Sequence, residues 1–244
     1  MKKMFMAVIA FMMTISASAQ FYIYCSDGNV IKVDSISMVA PNTGATGSEN
    51  GYEYVDLGLS VKWATCNVGA SSPEEYGDYF AWGETQPKSN YDWSTYKWCN
   101  GSDDTQTKYN TNSSYGTVDN KTTLDLSDDA ARANWGGSWR MPTDAELTEL
   151  REQCTWTWTT QNGVYGYKVT SKKSGYTNKS IFLPAAGYRN GSSLDSAGSY
   201  GYYWSSSLGT DHPDYARYLY FLSSRVGWHN YFRGLGQSVR PVCP

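Results

Sequence analysis

Charged side chains are scarce. Asp, Glu, Lys and Arg make up 18% of the 244 residues, below the roughly 25% usual in soluble domains. Net charge is −3 and no basic run occurs, which excludes the electrostatic footprint of nucleic-acid binding or of attraction to an anionic membrane. Histidine is rarer still, with only His212 and His229. Asp211-His212-Pro213-Asp214 offers ligand-type side chains, but a working metal site needs three or four convergent groups, so a polar loop is the favoured reading. The five cysteines, Cys25, Cys66, Cys99, Cys154 and Cys243, never stand at C-x-x-C spacing, which argues against a zinc cluster. Their odd number leaves at least one free or paired between chains. No G-x-S-x-G, H-E-x-x-H or phosphate-cradling glycine loop is present. A Ser-His-Asp set assembled from so serine-rich a chain carries no weight. No residue is assigned a catalytic or metal-binding role. Beyond the first nineteen residues no stretch approaches the ~20 apolar residues of a spanning helix, so no transmembrane segment is expected.

What fills the space left by charge is Tyr, Trp, Gly, Ser, Asn and Thr. Twenty-one Tyr and ten Trp beside few Lys and Glu is the vocabulary of an extracellular recognition surface. Such rings give broad, stiff contact area with a hydrogen-bonding tip at low entropic cost. The alternative is an aromatic-rich core, and Trp within strands accounts for part of the count. The start, MKKMFMAVIAFMMTISASA, has two lysines, an apolar run from Met4 to Ile15 and an Ala17-Ser18-Ala19 end. It reads as a secretory signal cut after Ala19, with the mature protein secreted, periplasmic or at the cell surface. Export permits disulfides, and their connectivity stays open.

Four segments follow: the signal over 1–19, a β-hairpin over 20–40, a linker over 41–51 and one domain over 52–244. FYIYC-SDGN-VIKV places two apolar runs around Asp27-Gly28, a tight-turn dipeptide, and DSISMVA suggests a third short strand. PNTGATGSENG has no large apolar residue, as expected of a flexible linker. Within the domain, SVKWATC, DYFAWGE, TWTWTT, YGYKVTS, SIFLP, YYWSSS and ARYLYFL read as strands rich in aromatic or β-branched residues. Thr143-Asp144-Ala145-Glu146 is a capping box with Leu147, Leu150 and Cys154 following at helical spacing. A second short helix is expected from Ser127, with Asp128 and Asp129 opposing its N-terminal dipole. Residues 85–126 are mostly polar and point to irregular excursions. The fold class is α+β: short antiparallel strands, two helices and long loops.

Several ordered blocks, YVDLGLSVKWATCNVGA, YFAWGET, DDAARANWGGSWRMPT, CTWTWTTQNGVYGYKVTS, SIFLPAAGYR and YYWSSS…SVRPVC, together resemble the Fibrobacter succinogenes major paralogous domain. That family is abundant in secreted proteins of gut Bacteroidetes. The resemblance spans about residues 52–243, and YIYCSDGNVIKVDSIS resembles the hairpin that often precedes it. It implies a C-type-lectin-like fold, similar to formylglycine-generating enzymes, in which the first and last strands pair. Residues 60–66 would then lie antiparallel to 237–243. The related enzymes bind copper through two cysteines in the C-terminal part, where this chain has only Cys243. The lectin calcium motifs, Glu-Pro-Asn or Gln-Pro-Asp with Trp-Asn-Asp, are missing, with Gln86-Pro87-Lys88 the nearest. No cofactor is expected. Asp103, Asp104, Asp119 and Asp125 form a polar loop open to a structural Ca²⁺ or, more simply, to solvent.

The candidate site is an aromatic and polar patch near the C-terminus. If Leu219 and Phe221 face the core, period two turns Tyr218 and Tyr220 outward. With Asp214, Arg225, Trp228, His229, Asn230 and Tyr231 they would form one ligand-binding face. Arg233, Gly236 and Ser238–Val242 read as framework. An ordinary wet strand and loop is the competing reading. Residues 202–232 also resemble the retroelement-diversified segments of C-type-lectin-fold proteins, where Asn, Tyr, His, Asp and Ser recur at variable positions. The functional expectation is a non-enzymatic module binding an extracellular glycan or surface protein. An enzyme acting on extracellular polymers and a structural cell-surface component are the alternatives.

Overall fold

The computed structural model describes residues 45–244 and, before them, the backbone of two strands, β1 (Phe21–Tyr24) and β2 (Val30–Val33). The chain divides into two units, Met1–Ala40 and Pro41–Pro244. In the first, β1 and β2 pair antiparallel with Tyr24 opposite Val30, as the two apolar runs lead one to expect. The signal and its cleavage point, the strand expected over DSISMVA, and Cys25 lie outside the described residues.

The second unit opens with β3 (Gly47–Glu49), β4 (Tyr52–Val55) and β5 (Lys62–Ala64). The helices α1 (Ala130–Trp135) and α2 (Asp144–Gln153) come next. Then follow β6 (Cys154–Gln161), β7 (Val164–Ser171), β8 (Ser180–Pro184), β9 (Tyr188–Asn190) and β10 (Ser193–Asp195). The last strands are β11 (Tyr200–Leu208), β12 (Tyr215–Leu222), β13 (Arg225–Phe232) and β14 (Val242–Cys243). They make antiparallel sheets in the orders β14-β5-β4-β3, β6-β7-β8, β11-β12-β13 and β10-β9. The described residues are therefore α+β and strand-rich. Among them no helix is long and apolar enough to cross a membrane.

The two ends of this unit meet. Val242 stands opposite Trp63 and Cys243 opposite Lys62. Ala64 and Val68 extend the contact by donating to the carbonyls of Pro241 and Val239 at 2.9 and 3.0 Å. Arg240, fully buried, fixes this closure. Its guanidinium donates to the carbonyls of Ala64, Thr65 and Phe182 and to Asn67 Oδ1. Arg233 is equally buried, donates to the Tyr109 carbonyl at 2.7 Å and lies between the rings of Trp82 and Tyr96. Hydrogen bonds to carbonyls, and for Arg233 the π density of two rings, offset the cost of burying these charges. Both arginines are framework, as are Gly236 and Ser238–Val242.

The capping box forms as read. Thr143 Oγ1 accepts the Glu146 N–H, and the Glu146 carboxylate accepts the Thr143 N–H at 2.8 Å. Leu147 and Leu150 are buried beneath it. Three expectations are corrected. The shorter helix begins at Ala130, not Ser127. Asp129 is its N-cap, because its carboxylate takes the N–H groups of Arg132 and Met141 and holds Asp129 extended. Leu126–Asp128 is only a 3-10 turn. DYFAWGE is no strand but a single bridge, Phe80 to Gln237. Its consecutive Tyr79, Phe80, Ala81 and Trp82 are all buried, so no two-sided alternation exists there. The expected linker is structured from Gly47 on. Its Glu49 carboxylate accepts the Ser138 N–H at 2.9 Å and its carbonyl accepts Trp139 Nε1–H at 2.8 Å. Small polar residues left no apolar period to mark that strand.

Alternate residues of β11 and β12 feed two core clusters. Trp204, Leu208, Ala216 and Tyr218 join Trp82, Tyr109, Trp139 and Met141. Tyr203, Leu219 and Phe221 join Leu147, Leu150, Val169 and Leu183.

Candidate functional site

The site follows from the register of β11, β12 and β13. Tyr202 lies opposite Tyr220, and Trp204 opposite Tyr218. Across β12, Tyr218 lies opposite His229, Tyr220 opposite Gly227 and Ala216 opposite Tyr231. Side chains of directly opposed residues share a face, and alternation along each strand assigns the rest. One face therefore carries Tyr200, Tyr202, Tyr218, Tyr220, His229 and Tyr231. The other carries Tyr203, Leu219, Phe221, Val226, Trp228 and Asn230.

The tyrosine face is continuous. Ring centroids of Tyr200 and Tyr202 are 6.0 Å apart, Tyr202 and Tyr218 5.7 Å, Tyr218 and Tyr231 5.9 Å, and Tyr218 and Tyr220 6.1 Å. Tyr188, on β9, closes the cluster at 4.9 Å from Tyr202 and 5.7 Å from Tyr231. Arg225 places its guanidinium 5.4 Å from the Tyr220 ring, and His229 is exposed at the rim. Gly227 makes room: a Cβ there would stand 3.0 Å from Tyr220 Cε1, so any side chain would press on that ring.

The hydroxyls separate this face from the interior. Buried tyrosines elsewhere donate to backbone carbonyls: Tyr91 to Tyr79, Tyr96 to Trp82 and Tyr203 to Pro184, at 2.6 to 2.7 Å. Among the described residues, no protein group pairs with the hydroxyl of Tyr200, Tyr218 or Tyr220. Burial and neighbouring tyrosines push the Tyr202 phenol up to about 12, and burial first, then the same neighbours, raise Tyr218 and Tyr188. At neutral pH these groups are neutral, protonated donors.

Beyond Tyr231 the face runs into a cleft of about 250 Å³ walled by Trp93, Asp92, Asn190, Tyr231, Phe232 and Leu235. The Asp92 carboxylate accepts from Ser94 Oγ, Asn90 Nδ2 and the Thr95 N–H. Those hydrogen bonds, the Ser94 hydroxyl first, hold it below the usual carboxylate range.

Four of the residues expected at the site come together here: Tyr220, Arg225, His229 and Tyr231. Four do not fit as expected. Tyr218 shares the face but is buried, because its ring packs edge-on to Trp204 and is flanked by Tyr202 and Tyr231. Trp228 and Asn230 point to the opposite side, because β13 is an unbroken strand and neighbours alternate. Trp228 lies there under Arg217, which pairs with Asp144 of α2 at 3.5 Å. Asp214 is buried before β12, its carbonyl taking the Arg233 N–H. Its Oδ1 has no hydrogen bond and sits 3.9 Å from His212 Nδ1, and desolvation raises its carboxyl. Sequence reasoning missed Tyr188, Tyr200 and Tyr202. The alternation in YGYYW held the signal for the last two, whereas Tyr188 reaches the face only through the fold.

The acidic loop residues have other partners. Asp119 accepts the N–H groups of Tyr109, Asn110 and Lys121, Asp125 pairs with Lys108 and Lys121, and Asp104 accepts from Ser102. Among the described residues no group of three or more His, Cys, Asp or Glu is placed to hold a metal. Cys66, Cys99, Cys154 and Cys243 are free thiols.

A protein-family model described as a domain of unknown function (DUF8237) matches residues 168–242. The matched stretch runs from within β7 to the first residue of β14 and contains the whole tyrosine face. No curated protein and no solved structure matches the chain.

Proposed function

We propose that this chain is an exported, non-enzymatic module that binds neutral, hydroxylated ligands of the glycan class on its tyrosine face. One observation carries the reading: adjoining rings on one sheet face, among which the part-exposed Tyr200 and Tyr220 hold hydroxyls that pair with no protein group among the described residues. A sugar presents an apolar C–H side and a ring of hydroxyls, and a tyrosine surface answers both, with π faces for the first and O–H groups for the second. Rigid aromatic residues bind at low entropic cost, and a concave site with a few convergent polar groups fixes orientation. Burial raises the phenols of Tyr188, Tyr202 and Tyr218, so these stay protonated at neutral pH and suit recognition better than proton abstraction. A C-type-lectin-like arrangement belongs to this reading and is supported by the pairing of β5 with β14.

The test is a glycan and surface-protein array probed with the full exported chain and with a Tyr220→Ala, Tyr231→Ala variant. Binding to neutral glycans should fall by about 2 kcal/mol or more in the variant, the scale of interface hot spots, with its melting temperature little changed. Binding confined to surface proteins, or glycan binding indifferent to both rings, would overturn the reading.

A further inference from the structure

We infer that the tyrosine face and two flanking clefts form one elongated site, built for a linear neutral oligosaccharide and not for a single sugar. This rests on the glycan-binding reading above and adds the length of the ligand and a second subsite.

The second cleft, of about 260 Å³, sits at the Leu222 end of the sheet, walled by Trp158, Tyr165, Ser199, Tyr200, Leu222 and Ser223. Trp158 and Tyr165 belong to the β6–β7 hairpin, where Trp158 lies opposite Tyr167 and Tyr165 is its diagonal neighbour. Their rings stack at 6.0 Å and 10°. Tyr165 is 51% exposed and no protein group pairs with its hydroxyl among the described residues. The walls hold three aromatic rings, two serines and no charged side chain, so the cleft offers an ionic ligand nothing to pair with. An uncharged ligand with an apolar side and hydroxyl edges fits that lining.

Tyr200 joins this cleft to the tyrosine face, because its ring stacks on Tyr202 at 6.0 Å and 20°. Tyr231 joins the other end to the first cleft. Tyr200 stands opposite Leu222 and Tyr231 opposite Ala216, so the two share a face and are separated by the length of β12 between those partners. At ~3.3 Å per strand residue that is about 20 Å, longer than one pyranose ring and within reach of a short oligosaccharide. Tyr202, Tyr218 and Tyr220 fill the interval.

Calorimetric titration of the full exported chain with cello-, xylo- and malto-oligosaccharides, each from monosaccharide to hexasaccharide, tests this. In at least one series affinity should climb about tenfold or more from the disaccharide to the tetrasaccharide and then level off. Tyr165→Ala, which removes an exposed ring and leaves the core intact, should abolish most of that climb while disaccharide affinity stays unchanged. Trp158→Ala should do the same, and its melting curve separates lost binding from lost fold. A flat affinity across chain length, or a climb that survives Tyr165→Ala, overturns the elongated site and leaves the glycan reading standing. No binding in any series overturns both.

Discussion

The two faces of the β11–β12–β13 sheet are built from alternate residues of the same three strands and differ in what their polar atoms do. On the face toward α2, Phe221 packs among Trp156, Tyr167 and Tyr203. The Tyr203 hydroxyl donates to Pro184 and that of Tyr167 to Leu222. On the other face the rings are equally close, yet among the described residues no protein group pairs with the hydroxyls of Tyr200, Tyr218 and Tyr220. Tyrosine is available for recognition where its ring is part-exposed and its hydroxyl has no partner among the described residues, as at Tyr200 and Tyr220. Tyr218 shares that face but is core, buried against Trp204.

The largest effect expected of this contrast is on stability. Phe221→Ala should cost about 3–5 kcal/mol, since a fully buried ring leaves a cavity. Tyr220→Ala should cost well under half of that in denaturant unfolding. Tyr218→Ala, buried against Trp204, should resemble Phe221→Ala, and if it instead unfolds like Tyr220→Ala the inner part of the tyrosine face is not core.

A matched pair of glycines sharpens the comparison. Gly201 lies opposite Phe221 and Gly227 opposite Tyr220, and each leaves room for the ring across from it. A Cβ at Gly201 would collide with the Phe221 ring inside the core, so Gly201→Ala should destabilise by about 1–3 kcal/mol, the range of overpacking. At Gly227 the ring has somewhere to go. Gly227→Ala should barely move the melting temperature but weaken glycan binding by tilting Tyr220. Equal loss of stability in both would remove the distinction between the faces.

The smallest effect is alkaline. Tyr202 ionises near 12 when folded against an ordinary 10 when unfolded, so the unfolded chain loses its proton first. Stability from this group is complete below about pH 10 and is lost as pH rises toward 12. Phenolate absorbance should show the Tyr202 fraction ionising late, above pH 10, and unfolding should release it. Full titration of all phenols near pH 10 without unfolding would contradict the burial assigned here.

The framework was more legible than the site. The capping box and the strands over TWTWTT and YGYKVTS rest on local chemistry that a single chain displays, and the meeting of β5 with β14 follows from what the resemblance implies. The site demanded register. Residues 225–231 read as a mixed patch, but once they form one strand, alternation sends Trp228 and Asn230 away from His229 and Tyr231. The burial of Tyr218 depends on Trp204 arriving from another strand. Likewise Tyr203 and Ser205 belong to the residue set of diversified segments, yet both are buried, so composition over 202–232 does not map onto one surface.

The most direct measurement is aromatic ring NMR of the full chain, labelled at tyrosine and phenylalanine, during titration with the oligosaccharide that binds best. A tyrosine-face site predicts shifts concentrated on Tyr200, Tyr202, Tyr220 and Tyr231, with the buried Tyr203 silent on the opposite face. Shifts confined to rings outside this face, or spread evenly over both, would contradict it.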